Sequence, residues 1–261
     1  MLKLTSMKIA TLNINSVNAR LPLLLNWLEQ NNPDVLLLQE IKAEYNAFPF
    51  FELNAAGYQV KIVGQKAYNG VAVLSKHNIT LCRESLPGFD YPEARYLETK
   101  INDILIASVY MPNGNPVGSP NYQKKLDFMD AFYRHAQNLK LENDKIIFGG
   151  DFNVILSPHD VYNPSVFAND ALFQIEVQNK LKAVLYLGYF DAYRTLHPKD
   201  FGYTYWDYGQ TAFTNDFGLR IDYLLCSPVM AQNLKTCVVD RALRGKEKPS
   251  DHTALTADFN V

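Results

Sequence analysis

Short apolar runs, each closed off by turn-forming residues, set the rhythm of this chain. The clearest lie at 8–13, 35–38, 71–74, 104–110, 145–148 and 221–226. They are too short for core helices and rich in branched side chains, so they predict buried strands. Longer stretches between them carry apolar residues at helical spacing. One runs over 20–30 behind Asn18 as N-cap, with Leu24, Trp27 and Leu28 on one face. A second covers 122–141 through Leu126, Met129, Phe132 and Tyr133, and a third covers 170–187. Hairpin-like turns at Tyr68-Asn69-Gly70 and Asn102-Asp103 alternate with these helical crossovers. A mixed sheet follows, and two layers of strands between helices account for the amount of core. No Gly-, Ser- or Pro-rich linker, repeat or low-complexity tract interrupts the pattern. The expectation is one α/β domain over 7–261, with 1–6 as an N-terminal extension and Met7 as an alternative start.

Composition narrows the class. Hydrophobic residues make up 48% of the 261 positions and charged residues 20%, a balance that excludes a disordered chain. Lys and Arg number 25 against 27 Asp and Glu, so no global basicity advertises a nucleic-acid partner. Carboxylates gathered around a cation would leave the remaining surface less acidic than that count suggests. Cys82, Cys226 and Cys237 are odd in number and lack metal-ligand spacing, which argues against a disulfide framework and for a reducing, cytoplasmic setting. No segment has the apolar length of a signal peptide or a membrane span, so no membrane partner is expected.

Four segments carry the chemistry. In KIIFGGDFNVIL an apolar strand runs into Gly149-Gly150 and presents Asp151 and Asn153 at its mouth. Residues two apart on extended backbone face the same way, so this pair suits holding a water beside a metal, while the glycines admit a phosphate to the backbone. A turn-forming Asp and Asn is the plainer alternative. In DVLLLQE a strand ends on Glu40, and Asn13 and Asn15 follow the first strand in the same fashion. Ligands gather at such carboxyl ends in α/β sheets, although a solvated cap is the commoner use of a lone charge there. PSDH sets Asp251 beside His252 at the start of the last strand; His77, His135, His159 and His197 read as surface or structural. GLRIDYLL buries Asp222 inside an apolar run, where it needs a partner. His252 is the natural one, with a salt bridge to Arg220 as the alternative.

Taken in order, LNIN, QE, YMPNG, GGDFNV, GLRIDYLL and KPSDH resemble the exonuclease III family of DNA repair nucleases, with EARYLE, YTYWDY and GYFDAYR similar to its bacterial branch. The resemblance implies a four-layer α/β sandwich of two packed mixed sheets flanked by helices. It implies hydrolysis of phosphodiesters in duplex DNA: incision 5′ to abasic sites, 3′ to 5′ exonuclease action and removal of blocked 3′ ends, by a monomer. It also implies Mg²⁺, with Mn²⁺ as a substitute, at Glu40, Asn13 and Asp251. Asp151, held by Asn153, orients or deprotonates the attacking water; His252, backed by Asp222, binds the scissile phosphate or shares the base role. Tyr110, as donor or low-pKa phenol, and Asn113 line the phosphate wall. Tyr205, Trp206, Leu219 and Ile221 are implied to form the pocket for a flipped-out abasic sugar, with Trp206 as its floor.

Backbone contacts to DNA are expected from Arg241, Arg244, Lys246 and Lys248, and from Arg95 in EARYLE, because phosphate neutralisation needs a local patch and not a basic protein. The aromatic loop over 160–169 is expected beside the duplex. Two positions depart from the family pattern: Gly209 stands where many relatives carry Arg, and Asn15 where some carry Asp. The rival readings are another phosphoesterase of the wider superfamily, of inositol phosphatase, deadenylase or sphingomyelinase type, and a catalytically silent DNA-binding relative.

Overall fold

A computed structural model of the chain describes residues 6–209 and 211–261. In chain order its strands are β1 (Ser6–Asn13), β2 (Val35–Gln39), β3 (Gln59–Val63), β4 (Val71–Ser75), β5 (Ile79–Arg83), β6 (Tyr96–Ile101), β7 (Ile104–Tyr110), β8 (Ile146–Asp151), β9 (Phe190–Asp191), β10 (Asp222–Cys226), β11 (Leu234–Val239) and β12 (Leu255–Asn260). The α-helices are α1 (Val17–Asn31), α2 (Phe50–Ala55), α3 (Pro120–Glu142), α4 (Ile175–Tyr186), α5 (Ala192–Leu196), α6 (Pro228–Gln232) and α7 (Arg241–Arg244). The strands form two six-stranded sheets, ordered β11-β12-β1-β2-β4-β3 and β5-β6-β7-β8-β10-β9. Within them β1 runs parallel to β2 and β7 parallel to β8, while the other pairs are antiparallel.

Alternation along the strands makes the layers. Ile9, Val35, Leu37 and Val73 of the first sheet meet Leu97, Ile106, Ile147 and Leu224 of the second. Their neighbours Ala10, Leu12, Leu36 and Leu38 turn the other way, onto Leu24, Trp27 and Leu28 of α1 and Leu53 of α2. The outer face of the second sheet, with Ala107, Phe148 and Leu225, is covered by Leu126, Met129 and Phe132 of α3 and Val177 and Leu181 of α4. Helix, sheet, sheet and helix thus stack as the expected four layers. Each buried Leu or Phe contributes about 1.5–3 kcal/mol, so the sandwich is held chiefly by its two outer layers and its central seam.

Near one end of that seam the apolar contact gives way to a buried polar bridge. Gln39 Nε2 donates to Thr11 Oγ1 (3.1 Å) and to Ser108 Oγ (3.0 Å), and Ser108 Oγ donates to Leu38 O (3.0 Å). These bonds tie β1, β2 and β7 together just before Asn13, Glu40 and Tyr110, so the site inherits a fixed spacing between sheets.

Several local expectations shift. The first helix starts at Val17 and not behind Asn18: Asn15 and Ser16 adopt positive φ (47° and 83°), turning the chain into the helix, while Asn18 Nδ2 reaches Ala47 O at 3.0 Å. The helix expected from 170 begins at Ile175, because Asp170 Oδ1 caps the Leu172 N–H in a turn. Ser6, assigned to an extension, pairs with Asn260 in β1, and residues 1–5 lie outside the described residues. Gly149 and Gly150 serve packing, not phosphate approach. Both are buried in β8; a Cβ on Gly149 would lie 2.5 Å from Leu37 Cδ1, and one on Gly150 would lie 1.8 Å from Val109 O. All three cysteines are free.

Candidate active site

The topology delivers polar side chains to one end of the sandwich. The parallel pairs β1/β2 and β7/β8 end on Asn13, Gln39, Tyr110 and Asp151, and Glu40 follows at once. Running antiparallel to β8, β10 begins there with Asp222 opposite Asp151, and β12 is antiparallel to β1, so the Asp251-His252 lead into β12 arrives at the same end. Carboxyl ends of parallel strands are where ligands collect in α/β sheets. Here they floor a cavity of about 430 Å³ whose lining includes Glu40, Tyr110, Asp151, Asn153, Asp251 and His252.

Asp151 is buried and held from several sides. The Asn153 N–H donates to its Oδ1 (2.9 Å), and Asn153 Nδ2 and Asn13 Nδ2 donate to its Oδ2 (3.2 and 3.0 Å). Burial pushes the Asp151 carboxyl up, the His252 imidazole opposes this, and the nearby Asp222 and Glu40 charges add to the rise; it reaches about 7. His252 Nδ1 contacts Asp222 Oδ2 at 2.8 Å, and its Nε2 lies 3.7 Å from Asp151 Oδ2. Burial alone would favour neutral imidazole, but Asp222 and Asp151 overcome it and Asp251 adds, raising His252 to about 10. The ring is therefore a cation at neutral pH. Arg220 is not the partner of Asp222; its guanidinium goes to Asp160 and Asp191 instead.

Across the cavity stands Glu40. Tyr110 Oη donates to its Oε1 (2.8 Å), as does Asn13 Nδ2 (2.9 Å), and Lys42 Nζ lies 2.9 Å from Oε2. Burial raises the Glu40 carboxyl, yet the Asn13 and Lys42 contacts outweigh it and the net shift is downward, so Glu40 is anionic. Tyr110 shifts well upward, first through burial and then through the Glu40 and Asp151 charges. It is a neutral donor, and the low-pKa phenol alternative falls. Asp251 Oδ1 accepts from Asn15 Nδ2 (3.0 Å) and Ser250 Oγ (3.2 Å).

Two groupings offer themselves to a divalent cation. Ligand atoms of Asp151, Asp222 and His252 lie within 4.8 Å of one another. Here His252 Nδ1 is engaged with Asp222 Oδ2 and its Nε2 faces Asp151, so in this structure that trio is an ion-paired cluster. Glu40 and Asp251 present only hard carboxylate oxygens to the cavity, which fits Mg²⁺ or Mn²⁺. Asn13 stands beside them: its amide nitrogen bridges Glu40 and Asp151, and its Oδ1 accepts the Asn15 N–H at 3.1 Å.

The other half of the cavity is apolar. Tyr205, Leu219 and Ile221 line it as expected, with Tyr205 stacked edge-on to His252 at 4.9 Å between centroids. Trp206 does not. It is 1% exposed, bonded through Nε1 to Asp216 Oδ1 (3.0 Å), and packs against Tyr203 and Phe213. Neighbouring residues on extended backbone point to opposite faces, so Tyr205 and Trp206 cannot both reach the pocket. Phe217 and Leu172 complete the wall, along with Tyr162 and Phe167 of the aromatic loop. The Tyr162 and Phe217 rings stack at 4.7 Å, and the Tyr162 N–H donates to Gly218 O (3.1 Å). Phe217 abuts the GLRIDYLL motif, a neighbourhood signal that sequence reading passed over.

The basic rim is thinner than its sequence suggests. Arg244 is buried, donates through Nη2 to Trp206 O (3.0 Å) and Asp207 O (3.3 Å), and lies over the Tyr208 and Phe213 rings. Arg241 pairs with Asp216 over the Trp206 ring. Arg95 pairs with Glu93 and supports the Tyr110 ring at 4.7 Å. Arg244 and Arg95 serve packing, their guanidinium groups claimed by aromatic faces, backbone carbonyls and, for Arg95, Glu93, whereas Arg241 remains exposed beside its carboxylate partner. Lys246 and Lys248 are exposed, as a phosphate contact requires. Asn113, also exposed, donates through Nδ2 to Asn153 Oδ1 at 3.3 Å and lines the cavity. At the two departures, Asn15 Nδ2 meets Tyr208 Oη (3.1 Å) and Gly209 N–H meets Asp207 Oδ1 (3.0 Å).

Comparison with known proteins gives the family and the fold. Residues 10–252 match the model of the endonuclease/exonuclease/phosphatase family. The chain is 31% identical to exodeoxyribonuclease III of Haemophilus influenzae, over 97% of this chain and all of that protein. Two solved structures superpose with TM-scores of 0.93, each covering 98% of this chain and all of the other: a 3′ phosphatase from Neisseria bound to product DNA hairpin, 34% identical, and an AP endonuclease from Archaeoglobus fulgidus, 35% identical. Among the described residues no helix is long and apolar enough to cross a membrane. With the family model matched over residues 10–252 and 31% identity over nearly the full chain, the chain belongs to the exodeoxyribonuclease III branch of the endonuclease/exonuclease/phosphatase family.

Proposed function

We propose that the protein is a Mg²⁺-dependent DNA repair nuclease that hydrolyses phosphodiesters in duplex DNA, at abasic sites and at 3′ ends. One observation carries the reading. A single cavity joins the raised Asp151 carboxyl, the buried His252 imidazolium and the carboxyl groups of Glu40 and Asp251 to an apolar wall.

Hydrolysis needs a water deprotonated as it attacks phosphorus, a cation at the phosphoryl oxygens, and stabilisation of the departing 3′ oxygen. Asp151, poised near neutral pH and fixed by Asn153 and Asn13, takes the proton. The new P–O bond forms as the P–O3′ bond breaks, leaving a 5′-phosphate and a 3′ oxyanion that takes up a proton from solvent to become a 3′-hydroxyl. His252, kept charged by Asp222, donates to a phosphoryl oxygen, and the single Tyr110 O–H, which here goes to Glu40, would turn to a phosphoryl oxygen once Glu40 holds the cation. Glu40 and Asp251 would hold Mg²⁺, which when bound offsets charge on the phosphate and the leaving oxygen. Tyr205, Leu219, Ile221 and the Tyr162–Phe217 stack form a compartment that welcomes a bare sugar and excludes water.

The test is a fluorescent duplex carrying one abasic-site analogue, and a nicked duplex with a blocked 3′ end, each incubated with Mg²⁺ and with EDTA. Metal-dependent incision or 3′ trimming is expected, lost with EDTA. No cleavage of either duplex in Mg²⁺ would refute the reading.

A further inference from the structure

Behind the cavity wall lies a charged side chain that the reaction above does not use. Lys125, in the second turn of α3, has no solvent exposure. It sits three residues after Tyr122 and four before Met129, on the face that α3 turns to the core. Its stem passes over Gly114, where a Cβ would come within 2.6 Å of Lys125 Cδ. Gly114 also has φ +91°, so glycine both permits the loop's shape and leaves the lysine its passage. The terminal amine donates to the backbone carbonyls of Asn113 (2.9 Å) and Asn153 (2.5 Å). Neither partner is anionic. Burial drives the Lys125 ammonium down to about 7, opposed by the fields of Asp151 and Asp170.

Those two carbonyls belong to the loops that follow β7 and β8. Asn153 has φ +49°, a left-handed conformation uncommon outside glycine. In it the Asn153 N–H and side-chain amide both face Asp151, while its carbonyl turns back onto Lys125. The side chains of Asn113 and Asn153 then meet at 3.3 Å on the cavity side. A donor placed behind both carbonyls therefore fixes the rotation of the residue that grips the water-activating carboxylate.

We infer that Lys125 is a positioning residue for this reaction: it clamps the Asn113 and Asn153 loops from the core side and holds Asn153 in the conformation that aims Asp151. The inference rests on the reading of Asp151 and Asn153 as the pair that handles the attacking water. Packing alone would be served by a neutral stem of similar length, so methionine separates the space the side chain fills from the bonds it makes.

The experiment measures kcat and KM on the abasic duplex, with thermal melts, for Lys125→Met, Lys125→Gln, Asn153→Ala and the Lys125→Met/Asn153→Ala pair. Lys125→Met should lower kcat about 10- to 100-fold, the scale of a misaligned catalytic group, with KM within about twofold. Lys125→Gln, which keeps an N–H donor, should recover part of that loss. The double variant should be no slower than Asn153→Ala alone, since both changes act through one residue. A folded Lys125→Met enzyme with wild-type kcat, or losses that multiply in the double variant, would overturn the clamp. If Lys125→Met gives no cooperative melt, Lys125→Leu, which also lacks a donor, carries the same cycle under the same criteria. Asp151→Asn is run in parallel: unaltered turnover there refutes the site reading itself, whereas its loss beside an unaffected Lys125→Met refutes only the clamp.

Discussion

Two buried clusters, two residues apart along the approach to β10, each set a cation between two carboxylates, yet they differ in what they leave undone. Arg220 donates through Nε to Asp160 Oδ1 (2.7 Å) and through Nη1 to Asp191 Oδ2 (2.6 Å), and Arg194 adds a second bond to Asp160. Its Nη2 finds no hydrogen-bond partner, but the guanidinium lies 4.7 Å from the Tyr223 ring centroid. Burial pushes Asp160 up, and Arg220, Ser157 and Arg194 more than reverse it, so the carboxyl ends below its usual range. His252 sits in similar company with Asp222 and Asp151, but at 2.8 and 3.7 Å, and Asp222 Oδ1 has no partner. Asp151 there is raised, not lowered. A guanidinium cannot release its proton and satisfies carboxylates through a rigid fork; an imidazolium can exchange its proton and here opens on the cavity. Burial of charge is common to both. An exchangeable proton facing the cavity marks the one proposed to do chemistry.

That contrast breaks most sharply if one member of each cluster is removed. Arg220→Met leaves Asp191 without its buried cation and Asp160 with only Arg194, at a cost of about 3–5 kcal/mol in denaturant unfolding. Turnover per folded molecule should stay near wild type. Asp151→Asn should behave inversely. An acid whose folded pKa is raised loses stability as pH climbs from its ordinary value near 4 to about 7, and asparagine abolishes that loss. The melting temperature should therefore hold or rise while kcat falls about 10²- to 10⁴-fold with DNA binding retained. If Asp151→Asn destabilises as much as Arg220→Met, the two clusters are of one kind and the comparison fails.

The strand framework and the reactive cluster were legible because both obey local rules. Apolar runs ending in Glu40, Asp151 or the Asp251-His252 step announce strands whose ends carry chemistry, and the Asp222–His252 pair follows from the cost of burying a lone carboxylate. Three-dimensional competition for the same group was not legible. Arg244 and Arg95 look like rim cations, and only the fold shows aromatic rings and carbonyls already holding them. Arg220 finds acids 60 and 29 residues away, separations that no motif records. Trp206 and Tyr205 look alike in sequence, and strand alternation decides between them. Lys125 could have been found, since it shares the helical face of Tyr122 and Met129, but a lone lysine on an apolar face is easily read as a solvated exception.

A smaller effect separates the roles inside the reactive cluster. Asp222→Asn removes the anion that most strongly favours the His252 cation, so the His252 pKa should fall from about 10 toward its ordinary 6.5. The sign follows from linkage: a histidine with a raised folded pKa contributes stability in full below pH 6.5 and loses it as pH climbs through about 10. The stability gap between wild type and Asp222→Asn should thus be widest near pH 6 and narrow toward pH 10. Activity should diverge the other way. Near pH 6 the variant keeps its imidazolium and much of its rate, while at pH 8.5 it should be about tenfold or more slower, with the basic limb of kcat/KM displaced toward neutrality. A basic limb unmoved by Asp222→Asn would assign the charge on His252 no part in catalysis.

The smallest expected effect asks whether the apolar half of the site divides as cleanly as the two ionic clusters do. Tyr205 faces the cavity beside His252, whereas its neighbour Trp206 faces the core with its Nε1–H on Asp216. Trp206→Phe forfeits that hydrogen bond and part of an aromatic contact, a loss of about 1 kcal/mol or roughly 2–4 °C in melting temperature for a chain of this size. Its kcat/KM on an abasic duplex should match wild type. Tyr205→Ala should leave the melting temperature within about 2 °C, since the ring is only partly buried, and lower kcat/KM on the abasic duplex about three- to tenfold, the worth of about 1 kcal/mol of sugar contact. Parallel assays on a blocked 3′ end show whether that wall serves the abasic sugar alone or every sugar the cavity receives. Equal kinetic losses in both variants would mean that the two aromatics act as one wall, and that facing the cavity, the criterion separating His252 from Arg220, does not extend to the apolar half.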